Sequence, residues 1–146
     1  MRYRMNGFVA MLLIGAVGCE YWGGTYVGSA NDPPPTDDAF TLTITGTLGA
    51  VTVSYVTEQR DAVTGAFECG YHVKECAGLA YDTNLTFVAN GCPTSLDSES
   101  NIHCPPPPSP VDLTGQATSW NPQNIVAIAV PDPFGVGLGT NTVVLQ

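Results

Sequence analysis

The chain has 146 residues and a formal net charge of minus 9, with thirteen acidic side chains against four basic ones. So few Lys and Arg cannot neutralise phosphates, which argues against nucleic-acid binding and against electrostatic capture by an anionic surface. The length suits one domain with its own core, small enough for disulfides to matter.

The N-terminus reads Met1-Arg2-Tyr3-Arg4, then the apolar run Phe8 to Val17, then Gly18-Cys19. A membrane-spanning helix needs about 20 apolar residues, twice what this run offers, whereas a basic start, a short apolar stretch and small residues before a cut mark an export signal. The tetrad Ala16-Val17-Gly18-Cys19 resembles the lipobox of bacterial lipoproteins, with alanine where that family usually has leucine. The resemblance implies cleavage after residue 18 and acylation (palmitate among the acyl groups) of Cys19, tying the protein to a membrane. Ala16-x-Gly18 also suits the ordinary signal peptidase, which would release a soluble secreted or periplasmic protein. The even count of the other cysteines favours a separate fate for Cys19. Glu20 stands where an aspartate would hold such a lipoprotein at the inner membrane, so the resemblance implies an outer-membrane location. Loss of Arg2 and Arg4 leaves Arg60 and Lys74 against thirteen acids, a mature charge of minus 11.

Residues 19–38 are rich in Gly, Pro and small polar residues and end in Pro33-Pro34-Pro35-Thr36-Asp37-Asp38. They read as a disordered tether, with Tyr21 and Trp22 placed to rest among lipid headgroups. The domain is expected at residues 39–146.

Phe40 to Thr45 alternates apolar residues with threonine, Val51-Val53-Tyr55 repeats the period, and Gly46 to Gly49 supplies the reversal of a hairpin. Further strands are expected at Ala66–Val73, Asn84–Ala89, Leu113–Trp120, Ile125–Val130 and Thr142–Leu145, with one helical turn at Glu75–Tyr81. The apolar run Ile125 to Val130 reads as a central strand buried on both faces. Seven short strands in about 100 residues predict an all-β, immunoglobulin-like two-sheet sandwich, with a small β-barrel as the alternative. The loop holding Pro105, Pro106, Pro107, Pro108 and Pro110 is stiff and exposed, and is the expected binding loop.

Four cysteines allow three pairings. The sequential one, Cys69 with Cys76 and Cys92 with Cys104, is expected, each short loop being worth about 2.5 to 3 kcal/mol by chain entropy. A rival reading takes His72 and His103, with reduced cysteines, as ligands for zinc or copper, although the paired Cys-x2-Cys spacing of zinc sites is missing. Asp97-x-Glu99-x-Asn101 resembles the opening of a calcium loop but has Ile102 where glycine belongs and Pro108 where the bidentate glutamate belongs. It reads as a solvated acidic turn. For hydrolysis only His72 and His103 could serve as base, and no nucleophile signature accompanies them. Glu58 and Asp61 read as surface carboxylates, and Asn84-Leu85-Thr86, though a sequon, as a strand entry. Trp120, Tyr71, Tyr81 and Phe134 could form a stacking platform for sugars, with core packing as the competing role. The expectation is a small lipid-anchored protein without cofactor or catalytic motif, binding an envelope protein or cell-wall partner.

Overall fold

The structure is a computed structural model and describes residues 22–31, 37–47, 49–81, 84–121, 124–135 and 139–146. The expected signal segment, Cys19, Glu20 and Tyr21 lie outside the described residues. Among the residues described, nine strands follow in order: β1 (Gly24–Asn31), β2 (Asp37–Thr47), β3 (Ala50–Arg60), β4 (Phe67–Tyr81), β5 (Thr86–Cys92), β6 (Thr94–Ser98), β7 (Val111–Asn121), β8 (Asn124–Pro131) and β9 (Thr140–Leu145).

The strands pair antiparallel in the order β3-β2-β1-β9-β8-β7-β5-β4-β6, and β3 also pairs with β4. That last ladder joins the first strand of the row to the last but one, so eight strands close into a barrel and β6 remains as an added strand. The expected sandwich is therefore replaced by the barrel alternative. The physical reason lies in β1. Gly24–Asn31, read from its glycines as tether, pairs along its whole length with β2 and reaches β9 through Tyr26↔Leu145 and Val27↔Val144. Without it β2 and β9 would be open edges; with it no edge is left to separate two sheets. Gly28 serves this closure through its missing side chain, since a Cβ there would run into the backbone carbonyl of Thr142 on β9.

Eight strands enclose an interior just wide enough for side chains to fill. Tyr26, Phe40, Leu42, Ile44, Tyr55, Phe87, Leu113, Ile125 and Ile128 fill it, each almost fully buried. Trp22 sits at one end, its ring edge-on to Phe87 at 6.0 Å between centroids, and is buried rather than placed in a tail among headgroups. Phe134 closes the other end against Tyr55 and Tyr71, with centroids 6.1 and 5.6 Å away. The outer wall carries exposed or half-exposed Thr41, Thr43, Thr45, Thr52, Ser54, Thr114, Gln116 and Thr142. An apolar interior under a hydroxyl-rich wall reverses the pattern of a lipid-spanning barrel.

Two irregularities shape β4. At Glu75 the backbone adopts a φ of 47°, its N–H donates to Ser54 Oγ at 3.1 Å, and the register on β3 shifts between Val53 and Tyr55. The bulge moves the inward positions from Tyr71 and Val73 to Cys76, and it stands where a helical turn was expected. On the other side of β4, Leu79↔Val88 and Cys69↔Ser98 fall on a single register, so β6 continues the line of β5 after a break at Pro93. Ile125 to Val130 is not buried throughout, because Val126 and Ala129 are only half-buried and the β7–β8 ladder shifts register twice.

Candidate binding cleft

The disulfides join Cys69 to Cys104 and Cys76 to Cys92, which overturns the sequential pairing. Cys69 and Cys76 lie on the same strand, seven residues apart and so about 23 Å along it, whereas a disulfide bridges Cα atoms about 6 Å apart. Cys92 instead meets Cys76 across the break between β5 and β6. With these four thiols oxidised, the cysteine-ligated metal reading fails. Among the described residues no group of three or more His, Cys, Asp or Glu is placed to hold a metal ion.

Cys104 anchors the proline loop to β4 at the end of the barrel that Phe134 closes. Around that bond Glu99 N–H donates to the Glu68 carbonyl at 3.2 Å, Thr94 Oγ1 donates to the Pro108 carbonyl at 2.8 Å, and Thr94 N–H donates to Ser109 Oγ at 3.3 Å. The loop thus runs back beside β6. Its prolines have no N–H to give, so it lies against the sheet without adding a tenth strand. The Ser109-Pro110 peptide bond is cis.

Between this loop and the β8–β9 turn lies a cleft of about 630 Å³, lined by Gln59, Glu68, Cys69, Tyr71, Ile102, His103, Pro105, Pro106, Phe134 and Gly135. The turn is held by Asp132, whose Oδ1 accepts from Phe134 N–H at 2.9 Å and whose N–H donates to the Gly139 carbonyl at 2.6 Å. Burial raises the Tyr71 phenol in the cleft floor above its ordinary range and does the same for Tyr55, which lies in the barrel interior rather than in the cleft lining. The result is a proline-edged depression of mixed polarity, with a carboxylate, an amide and an imidazole among its lining groups. It offers shape and hydrogen bonds to a ligand.

Of the expected binding loop, Pro105 and Pro106 line this cleft, as does His103, read from the sequence as a candidate metal ligand or base, while Pro107, Pro108 and Pro110 stand elsewhere on the same loop. Of the four platform aromatics, Tyr71 and Phe134 come together here, but Tyr81 and Trp120 lie at the other end of the barrel. Gln59 and Glu68 carried no signal in the sequence; they arrive because β3 ends and β4 begins beside the loop.

His72 is not in the cleft. It points outward from β4, with Nε2 2.9 Å from Asp97 Oδ2 on β6, and its ring lies across Gly70, where a Cβ would stand 3.1 Å from Nε2. Ser95 is its ladder partner, yet Ser95 Oγ is buried without a hydrogen-bond partner. Three residue types of a hydrolytic triad are thus neighbours without the serine-to-imidazole bond that activates a nucleophile. Comparison with protein-family models, curated proteins and solved structures finds no match for this chain.

Proposed function

We propose that this chain is an exported bacterial lipoprotein, acylated at Cys19, that binds an envelope protein or cell-wall component through the cleft at the Phe134 end of its barrel. The observation that carries the binding reading is the cleft itself, with its rim clamped by the Cys69–Cys104 bond. A filled interior leaves the ends of the barrel as the places for recognition, and a stapled proline loop has little ordering entropy to lose. The two disulfides fit an oxidising compartment, in keeping with the lipobox-like tetrad and, through Glu20, with the outer membrane.

A photo-crosslinking residue at Ile102, in the cleft, tests the reading in intact cells against the same residue at Val144, on the wall of the opposite half. The expected result is a discrete adduct from Ile102 alone, lost when Pro105 and Pro106 are replaced by serine. Equal capture at both positions, or none at Ile102, overturns it.

A further inference from the structure

Of the six exposed large apolar side chains among the described residues, four lie toward the end of the barrel opposite the cleft, Val63 and Ile102 being at the cleft end, and the described residues of that far end carry no charge. Leu79 and Tyr81 close β4 there and are 53 and 43% exposed; Trp120, near the tip of the β7–β8 hairpin, is 38% exposed, and Val144 near the end of β9 is 48% exposed. The register places them together, since Leu79 pairs with Ala50 at the start of β3, Tyr81 with Thr86 at the start of β5, and Trp120 with Ile125 at the start of β8. Trp22 enters the barrel at this same end, because Gly24 pairs with Ile44 near the end of β2.

Among the described residues charge lies elsewhere. Asp37 and Asp38 open β2, Glu58, Arg60, Asp61 and Glu68 surround the β3–β4 turn, Asp97 and Glu99 end β6, and Asp132 follows β8, all at the cleft end. Lys74 and Glu75 sit at the bulge midway along β4, and Asp112 opens β7. Among the described residues no Asp, Glu, Lys or Arg lies nearer the Trp22 end than these; the β4–β5 turn also contains Asp82, outside the described residues.

We infer that this end is a lipid-facing rim, held against the bilayer by Leu79, Tyr81 and Trp120, with the cleft directed away from it. The inference rests on the acylation of Cys19 proposed above. Its occupant follows from the length of chain left over. Trp22 is fixed in the core, so only Glu20 and Tyr21 separate it from Cys19, a span of at most about 10 Å. The interfacial layer of a leaflet is itself about 5 to 8 Å thick, so an acylated Cys19 leaves no gap between this end and the headgroups. Tyr and Trp are the side chains favoured at that depth.

Among the described residues, the acidic side chains stand too far from this end to repel an anionic surface; Asp82 and Glu20, outside the described residues, are the two carboxylates that the sequence puts next to the rim and the anchor. Glu75 is six residues from Tyr81, about 20 Å along the strand and about 14 Å along an axis to which barrel strands tilt by about 45°. Asp112 is eight residues from Trp120 on β7. Both separations exceed the Debye length of about 8 to 10 Å at physiological salt, so the acidic half is screened from the surface. Anchoring strength comes from the acyl chains; the rim sets orientation.

The test uses the mature chain on neutral phosphatidylcholine vesicles containing lipid brominated near the headgroup, attached by its own acylated Cys19. Where intact mass shows Cys19 bare, an N-terminal histidine tag on a chelating lipid replaces the anchor. Trp22 and Trp120 are the two tryptophans of the chain. Bromolipid quenching is expected to fall at least about twofold in Trp120→Phe, and vesicle binding should shield Trp120 from aqueous iodide by a similar factor. Tyr81→Asp with Leu79→Asp should restore iodide access without releasing the protein. An acylated Cys19 with Trp120 still open to iodide overturns the rim and spares the anchor. A bare Cys19 with quenched Trp120 on the chelating lipid spares the rim and overturns the anchor. Shielding of Trp120 without vesicles, rising with protein concentration, would assign the rim to a second copy and overturn the lipid reading.

Discussion

Asn141 on β9 donates from Nδ2 to the Tyr55 hydroxyl on β3, 3.2 Å away, inside the barrel. The two strands are not neighbours; β2 and β1 lie between them in the ladder, so the bond crosses the interior. Among the described residues Asn141 and Thr57 are the two buried polar ones. A buried donor that loses its acceptor costs about 1 to 3 kcal/mol, while replacing both partners with apolar groups can be nearly neutral. Tyr55→Phe should therefore destabilise the protein by about that amount, and Asn141→Leu in the same background should recover most of it. Urea unfolding of both single variants and the double variant checks the non-additivity; simple addition would show that the bond contributes nothing.

The disulfide pairing is open to a direct map. Trypsin cuts after Lys74 and a glutamate-specific protease after Glu68, Glu75 and Glu99, so together and without reductant they release fragments 69–74, 76–99 and 100–146. The bonds Cys69–Cys104 and Cys76–Cys92 leave 69–74 joined to 100–146, with 76–99 separate and closed on itself. Sequential pairing would join all three fragments. Chain entropy puts the Cys76–Cys92 loop at about 3 kcal/mol and the Cys69–Cys104 loop at about 4 kcal/mol, a ranking that a Cys69→Ala, Cys104→Ala variant would test.

Period-two alternation made most of the strands legible, because a strand with one buried face must write that face into every second residue. Phe40, Leu42 and Ile44, and Val51, Val53 and Tyr55, all face the interior as read. The pattern fails where the backbone changes step. Glu75 at positive φ shifts the inward set along β4, and no residue-type rule announces a bulge at a glutamate. Closure was illegible for another reason: strand count does not say whether the first and last strands meet, and here the joining strand is the glycine-bearing β1. The cleft was half legible. Its proline loop and Phe134 turn stood out as breakers, but Gln59 and Glu68 enter it only through the ladder of β3 on β4.

Gly115 offers a packing test. A Cβ on it would collide with the Phe87 ring and stand 2.9 Å from Ile128 Cγ2, both in the filled interior. Both neighbours are fully buried. Gly115→Ala should cost about 1 to 3 kcal/mol by overpacking, and Phe87→Leu in the same chain should recover part of the loss. Thermal unfolding reads both effects. Equal stability of Gly115→Ala and the parent would mean that the interior is looser than described.

Alkaline pH should unfold the barrel from within. Burial pushes the Tyr26 phenol up to about 12 and raises Tyr55 and Tyr71 as well. In the unfolded chain these groups ionise at their ordinary value of 10.0, so above it the unfolded state has given up protons that the folded state still holds. The stability they provide is complete below pH 10 and is lost as pH rises toward 12. Urea midpoints should be flat on the acid side of 10 and fall beyond it, with a shallower fall in Tyr26→Phe. A midpoint unchanged from pH 9 to about 12 would show that these phenols ionise freely in the fold.

The boundary of the domain decides between a tethered domain and one seated close to its anchor. A chain starting at Ala39 keeps every strand first expected but loses β1, Trp22 and Tyr26. It exposes β2 and β9 as unpaired edges and empties the interior beside Phe87. A chain starting at Tyr21 retains them all. The shorter chain should lack a cooperative unfolding transition and self-associate through its open edges, while the longer one unfolds cooperatively. Trp22→Ala in the longer chain should cost about 3 to 5 kcal/mol, the range for deleting a buried aromatic ring. Near-ultraviolet circular dichroism with urea titration distinguishes the cases. A stable, monomeric chain from Ala39 would return residues 19–38 to the role of a tether and remove the short leash that draws Tyr81 and Trp120 to the bilayer.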